Sequence, residues 1–203
     1  HIVKIHDTAL EGWNNKIDLG DNKVLIGQPE KEIKNVIEEF NPDIVGISIL
    51  FSNLNESGHT IARITKSINP KIHVLIGGNH ITNSLIDYQH NIIHPGDDIP
   101  LIKDLEDENI DFAMVGESDF NIIELVNKLI NNQDISKVPG FLKRVSRGKY
   151  SHNPSDRITD LINLPIPARS LVNMEGYFDI GAFHSAKSKS NRVLNIMCSR
   201  GCP

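Results

Sequence analysis

The chain has 203 residues, 39% of them hydrophobic and 23% charged, which is enough for one well-buried domain with an extension. Its formal net charge of -5 provides no basic surface, so we expect no nucleic-acid partner. No apolar run approaches the roughly 18 residues that a membrane span requires, and no signal-peptide pattern occurs, so we expect a cytoplasmic protein without a membrane span.

The first 40 residues contain a predicted strand, an ambiguous segment and a predicted helix. An apolar run indicates a strand near residues 2–6. Residues 22–27 fit either a further short strand or one arm of a hairpin that turns at residues 20–22. A helix is predicted from Gln28-Pro29 to Phe40, because apolar residues there recur on one helical face and acidic residues come first.

Three further strands are predicted near residues 43–49, 72–76 and 111–115, since each is a short and mainly apolar run. Between the first two, apolar residues recur at helical spacing from Ile61 to Ile68, which makes one right-handed βαβ unit. The sequence therefore predicts an α/β fold. It is a Rossmann-like, doubly wound, mainly parallel sheet with helices on both faces and a C-terminal hairpin and linker extension.

Small and polar residues follow each of these three strands. Parallel strands release their loops at one edge of the sheet, which is where ligands bind in such folds. Gly77 and Gly78 remove side chains, so that a large flat or phosphate-bearing group can lie against bare backbone. His80 fits a hydrogen bond to an amide or phosphate of a ligand and fits a structural role equally well. The candidate ligand-binding residues are Ser48, Leu50, Ser52, Asn53, Gly77, Gly78, His80, Thr82, Gly116 and Glu117.

A long segment from residue 83 to residue 109 follows the second of these loops, with a helix predicted through residues 99–105. An insertion beside the candidate site fits a lid or a docking surface. Plain surface decoration is the other interpretation, and the one that we favour.

The pattern changes beyond residue 132. Residues 140–152 predict a β-hairpin, and the proline-rich run at 164–167 predicts an extended linker. The two cysteines, Cys198 and Cys202, lie at the end of the chain with a C-x-x-x-C spacing, which favours a metal or a cluster over a disulfide.

Four elements carry a resemblance to a known family. They are PDIVGISIL at residues 42–50, VLIGGNHIT at 74–82, VGE at 115–117 and CSRGCP at 198–203. In this order they resemble the cobalamin-binding domain that precedes the catalytic barrel in cobalamin-dependent radical S-adenosylmethionine enzymes. The resemblance covers residues 2–203, and its strength lies in the order of the four elements.

The resemblance implies a domain organisation and a set of cofactors. It implies a cobalamin-binding Rossmann-like domain at 1–132, a hairpin and linker at 133–190, and the truncated start of a radical S-adenosylmethionine barrel at 191–203. The candidate residues would hold cobalamin, and Cys202 would be a ligand of a 4Fe-4S cluster that works with S-adenosylmethionine in the full-length enzyme. The implied partner is the barrel of the same full-length chain. Methyl transfer is the first implied reaction type and oxidative cyclisation the second, with this fragment inactive by itself.

Other classes of protein compete with this interpretation. A phosphoacceptor receiver domain needs an aspartate at a strand tip where Ser48 and Leu50 stand, and a nicotinamide or flavin reductase needs a G-x-G-x-x-G motif that the sequence lacks. The nearest alternative keeps the same fold without a corrinoid and serves as a substrate- or partner-docking module.

Overall fold

The computed structural model describes residues 1–21, 23–155, 157–181, 190, 192–194, 196 and 200. The chain forms two compact units, one from residues 30–165 and one from residues 1–29 together with 166–203. Domain boundaries at residues 132 and 190 stay predictions. Among the described residues, none of the helices has the length and apolar composition that a membrane crossing demands.

Helices and strands alternate along most of the chain. In chain order the elements are α1 (Thr8–Glu11), β1 (Lys16–Gly20), β2 (Lys23–Ile26), α2 (Glu30–Phe40), β3 (Ile44–Ser48), a 3-10 turn (Ser52–Leu54), α3 (Asn55–Ile68), β4 (His73–Gly77), α4 (Asn79–Gln89), α5 (Lys103–Glu106), β5 (Phe112–Met114), α6 (Asn121–Ile130), β6 (Phe141–Ser146), β7 (Lys149–His152), a 3-10 turn (Arg169–Leu171) and α7 (Met174–Ile180).

The unit that contains the chain start is built around a two-stranded hairpin. Strands β1 and β2 pair antiparallel, which confirms the hairpin interpretation of this segment; Asn22 in its turn lies outside the described residues. The Asp7 carboxylate caps α1 by accepting hydrogen bonds from the backbone N–H groups of Ala9 and Leu10 at 3.0 and 3.1 Å. The Tyr177 hydroxyl of α7 donates a hydrogen bond to the same carboxylate.

The prediction of a strand near residues 2–6 is wrong. Residues 1–7 form no regular structure, and the Ile2 and Val3 side chains are exposed. An apolar run becomes a strand only where a neighbouring strand supplies backbone hydrogen bonds and a surface to cover its side chains. Within the described residues, β3 pairs with β4 alone, so no strand occupies its other edge.

Residues 30–165 form a five-stranded sheet in the order β3-β4-β5-β6-β7. The first three strands are parallel, and they confirm the strands predicted near 43–49, 72–76 and 111–115. The predicted hairpin is also confirmed, and it extends the sheet because β6 pairs antiparallel with β5. This is the predicted Rossmann-like α/β fold.

Helices cover the sheet on two faces, as the fold class predicts. Val74 and Ile76 of β4 point to one face, which packs against α3, α4 and α5, and Leu75 between them points to the other, which packs against α6. We call these the α3 face and the α6 face. Helix α2 packs against α3 through Ile33, Ile37 and Ile64.

The segment from residue 83 to residue 109 differs from its prediction. The helix predicted through residues 99–105 shrinks to α5, because Pro100 lies within the predicted helix and the Ile102 N–H donates to the Tyr150 hydroxyl at 3.0 Å. Ile102 and Leu105 are buried on the α3 face, so this part of the segment is core rather than surface decoration. Helix α4 was not predicted, because its first residues, NHITN, look like a polar loop.

Two isoleucines of α4 test how this helix is held. Ile81 is fully buried on the α3 face, whereas Ile86 is 45% exposed. We expect Ile81→Ala to lower the free energy of unfolding by about 2 to 5 kcal/mol, because it removes a buried side chain and leaves a cavity. Ile86→Ala should cost less than about 1 kcal/mol. Urea unfolding measures both, and equal losses would show that α4 does not pack as described.

Candidate functional site

The carboxyl ends of β3, β4 and β5 meet at one edge of the sheet, and backbone hydrogen bonds tie their loops together. The Ile49 N–H donates to the Gly77 carbonyl at 2.8 Å, and the His80 N–H donates to the Ile49 carbonyl at 3.2 Å. The Thr82 hydroxyl donates to the Gly78 carbonyl and accepts from the Gly116 N–H, both at 3.2 Å. Residues predicted from three separate loops therefore lie side by side.

Small residues leave part of the α6 face without side chains. Gly46, Ser48 and Gly77 point to this face, in neighbouring positions of β3 and β4, and we call them the glycine strip. A side chain built at Gly46 would meet nothing within 4 Å, and one at Gly77 would meet only the Met114 carbonyl oxygen at 3.3 Å. Gly46 and Ser48 are exposed. The strip can accept a flat group that lies directly on the sheet.

Gly78 has a different role from its neighbour Gly77. Its φ is +102°, and a Cβ atom there would lie 2.5 Å from the Ile49 carbonyl oxygen. L side chains rarely adopt this backbone conformation, and the contact is with backbone that cannot rotate away. The close approach of the two loops therefore requires glycine at this position.

The loop after β3 carries large apolar side chains that are exposed. Leu50, Phe51 and Leu54 are 50%, 62% and 44% exposed. Asn53 lies among them, in the same 3-10 turn as Ser52 and also exposed. An exposed apolar group with polar neighbours is typical of a surface that contacts a ligand or a partner.

The loop after β5 contacts residues 155–158, which follow the hairpin. A Cβ atom at Gly116 would lie 2.6 Å from the Ser155 side chain, and the Glu117 carboxylate accepts a hydrogen bond from the Ile158 N–H at 2.7 Å. These two predicted residues hold the segment after the hairpin against the site edge.

Two of the open cavities formed by the described residues lie in this unit. One, of about 340 Å³, borders His73 and Phe112 at the amino ends of β4 and β5. The other, of about 350 Å³, borders Glu117 and Arg157 beside the carboxyl edge. Because ligands of open parallel sheets bind outside the carboxyl ends of the strands, only the second adjoins the candidate site.

A chain of polar side chains runs from the site edge into the α3 face. His80 Nδ1 lies 3.0 Å from the Ser52 hydroxyl, and His80 Nε2 lies 3.3 Å from Asp104 Oδ2. Beyond Asp104, which is 1% exposed, His59 places Nε2 at 3.4 Å from Asp104 Oδ1 and Nδ1 at 2.5 Å from Asp107 Oδ2. We call these five residues the histidine–aspartate network.

His59 is the cation of this network. The Asp104 carboxylate raises the pKa of His59 from 6.5 to about 9; burial opposes the shift, and Asp107 adds to it. The positive charge of His59 offsets part of the cost of burying the Asp104 carboxylate. The sequence did not predict His59, Asp104 and Asp107, because each stands in an ordinary helical or turn sequence. The one indication in the sequence was the position of Asp104, an acidic residue between the apolar Ile102 and Leu105.

The described residues were compared with the arrangements that hold metal ions in proteins. Within them, no group of three or more histidine, cysteine, aspartate or glutamate side chains is arranged to hold a metal ion. Cys198 and Cys202 lie outside the described residues, so the assignment of Cys202 as a cluster ligand stays a prediction.

Comparison with known proteins finds a family similarity in residues 11–100. Residues 11–100 match the family model of the B12 binding domain. This part of the chain is similar to B12 binding domains. It includes β3, α3, β4 and α4, and therefore the glycine strip, Ser52, His80 and Thr82; Gly116, Glu117 and Asp104 lie beyond the matched residues.

Two curated relatives align with nearly the whole chain. Cytidylyl-2-hydroxyethylphosphonate methyltransferase of Streptomyces wedmorensis is 28% identical over 223 residues, which cover 98% of this chain and 39% of the relative. An uncharacterised methyltransferase of Pyrococcus horikoshii is 27% identical over 187 residues, which cover 90% and 35%. The chain thus spans well under half the length of either relative.

A solved structure is also similar to part of this chain. It is the apo form of the cobalamin-dependent S-adenosylmethionine radical enzyme OxsB, with a TM-score of 0.46 and 14% identity. The alignment covers 68% of this chain and 17% of that one.

Two glycines test the close approach of the loops. Gly78→Ala should lower the free energy of unfolding by about 2 kcal/mol, since it strains a positive φ and pushes against the Ile49 backbone. Gly46→Ala, in open space on a strand, should change it by less than about 0.5 kcal/mol. Urea denaturation of both variants decides the matter, and a neutral Gly78→Ala would contradict the described contact.

The raised pKa of His59 predicts a pH dependence of stability. Because the folded pKa of about 9 lies above the ordinary 6.5, the stabilisation is complete below pH 6.5 and is lost as pH rises through 9. We expect the wild-type chain to lose about 2 kcal/mol more than His59→Gln between pH 6.5 and 9.5. Parallel pH profiles from urea unfolding would contradict the ion pairs assigned to His59.

Proposed function

We propose that the glycine strip and the loop after β3 hold cobalamin in the B12 binding domain. The observation that carries this proposal is the stretch of sheet formed by Gly46, Ser48 and Gly77, where two of three positions lack a side chain and the β3 residues are exposed. A cobalamin has a flat macrocycle and a nucleotide tail, and either can lie against such a surface. The residues present therefore fit the group.

The remaining predicted residues would support the same ligand in different ways. Leu50 would contact the apolar part of the macrocycle, and Ser52 and Asn53 would hydrogen-bond its peripheral amides. Gly78 and Thr82 would fix the loops, as their contacts with Ile49 and Gly116 indicate. Gly116 and Glu117 would border the site, since their own contacts are with residues 155–158.

His80 is proposed to act beside the ligand rather than on cobalt. Both of its ring nitrogens face protein partners, Ser52 at 3.0 Å and Asp104 at 3.3 Å. A cobalt ligand needs a free nitrogen lone pair directed at the metal. We therefore assign His80 to the protein side of the site.

For the full-length protein we propose methyl transfer by a radical S-adenosylmethionine enzyme. The names of both curated relatives support methyl transfer over the oxidative cyclisation that the sequence left open. Cobalamin, when bound, supplies a cobalt centre that can carry a methyl group. Cys202 would be one ligand of a 4Fe-4S cluster that binds S-adenosylmethionine, and a barrel continuing the same chain would be the partner of this domain.

The docking-module alternative is not favoured, because the matched family is defined by B12 binding. Residues 1–203 by themselves should bind cobalamin without catalysing methyl transfer, since a single predicted cluster ligand cannot hold a cluster.

Two exposed strand serines provide a matched test of the proposed site. Ser48→Leu places a bulky side chain on the glycine strip, whereas Ser151→Leu places the same side chain on exposed β7, away from it. We expect Ser48→Leu to weaken hydroxocobalamin binding by about tenfold or more, and Ser151→Leu to leave it unchanged. Titration followed by visible absorbance measures both affinities. Wild-type affinity in Ser48→Leu, with the variant folded, would remove the strip from the site.

A further inference from the structure

The histidine–aspartate network joins a fully buried carboxylate to an exposed hydroxyl at the site edge. Asp104 is 1% exposed, whereas Ser52 is exposed at the carboxyl end of β3, and the His80 ring spans the distance between them. Each of the three comes from a different element: α5, the 3-10 turn and α4. Such an arrangement transmits the hydrogen-bonding requirement of a buried group to the surface.

The buried carboxylate determines which nitrogen of His80 carries the hydrogen. An ionised carboxylate only accepts hydrogen bonds, so its contact with His80 Nε2 at 3.3 Å is favourable when Nε2 bears the hydrogen. This contact is not aligned as a hydrogen bond, and Nε2 has no hydrogen-bond partner among the described residues. In the neutral ring, Nδ1 is then an acceptor.

The state of His80 in turn determines how Ser52 can bond. With Nδ1 as an acceptor 3.0 Å away, the Ser52 hydroxyl must donate its only hydrogen to His80. The oxygen lone pairs of Ser52 are left for the outside. At the site edge Ser52 therefore offers an acceptor and no donor.

The other half of the network holds Asp104 in place. His59 contacts the second oxygen of Asp104 at 3.4 Å and is held on its other side by Asp107 at 2.5 Å. Within the described residues, the titratable groups that face Asp104 are these two histidines, from α3 and α4. A buried carboxylate flanked in this way is fixed in orientation.

We propose that Asp104 and His80 are positioning residues that fix the Ser52 hydroxyl as an acceptor for a peripheral amide N–H of the bound corrinoid. The proposal rests on the cobalamin site proposed above and adds a preference within it. Corrinoids that carry primary amides supply the missing hydrogen. Corrinoids with carboxylates in the same places bring a second acceptor and are disfavoured.

The first test reads the state of His80 without any ligand. In the 203-residue chain with nitrogen-15-labelled histidine, long-range proton–nitrogen NMR distinguishes the two ring tautomers, and His80→Gln assigns the signal. We expect the hydrogen on Nε2 in the wild type, and a shift toward the Nδ1–H form in Asp104→Asn. A wild-type His80 that carries its hydrogen on Nδ1 alone overturns the proposal.

The second test measures corrinoid preference. Aquocobinamide carries peripheral amides and cobyrinic acid carries carboxylates, while neither has the nucleotide tail. We expect Ser52→Ala, an exposed change that spares the fold, to weaken aquocobinamide binding about fivefold to tenfold and to reduce the preference for it over cobyrinic acid. The control is His94→Gln, which removes an exposed histidine–aspartate contact elsewhere and should match the wild type. Unchanged preference in Ser52→Ala overturns the proposed amide contact.

The two tests distinguish a failure of this inference from a failure of the proposed cobalamin site on which it rests. If the wild-type chain binds neither hydroxocobalamin nor aquocobinamide, the cobalamin site fails and the amide contact fails with it. An Nε2–H tautomer of His80 in that case would still establish the orientation of the network. If hydroxocobalamin binds and Ser52→Ala behaves as the wild type, only the further inference fails.

Discussion

The contact between the Ile49 backbone and Gly78 is the constraint on which the site depends. Only glycine allows the loop after β3 to lie directly against the loop after β4, because any Cβ atom would meet the Ile49 carbonyl oxygen. The same carbonyl accepts the His80 N–H and so places the first turn of α4. Ser52, His80 and the exposed apolar loop take their positions from this approach.

The two faces of the sheet contribute different features to this edge. On the α6 face, Gly46, Ser48 and Gly77 leave room for a flat ligand because they lack bulk. On the α3 face, the histidine–aspartate network runs from exposed Ser52 through buried Asp104 to Asp107 and orients polar groups that reach the same edge. One face thus provides shape and the other provides hydrogen-bonding direction, which is the combination that a large ligand with polar groups at its rim requires.

The sequence predicts the parallel strands and the position of the site well, for identifiable reasons. Buried strands are continuous apolar runs, and parallel topology alone places the residues after them at one edge. The prediction near residues 2–6 failed because an apolar run does not reveal whether a neighbouring strand exists. Gly78 was assigned to ligand approach, whereas its need arises from a backbone contact with Ile49 that depends on the tertiary fold. Asp104 could not be found from its neighbours in sequence, since its partners lie 24 and 45 residues away, at His80 and His59.

Hydrogen–deuterium exchange of the chain with and without hydroxocobalamin tests the central claim most directly. If cobalamin lies on the α6 face at the carboxyl ends of β3 and β4, backbone amides in residues 46–54 and 76–82 should exchange more slowly when it is bound. Strand β7 at residues 149–152, three strands away from β4 in the sheet, should be unaffected. Protection confined to the hairpin, or to the amino ends of the strands around His73 and Phe112, would contradict the account.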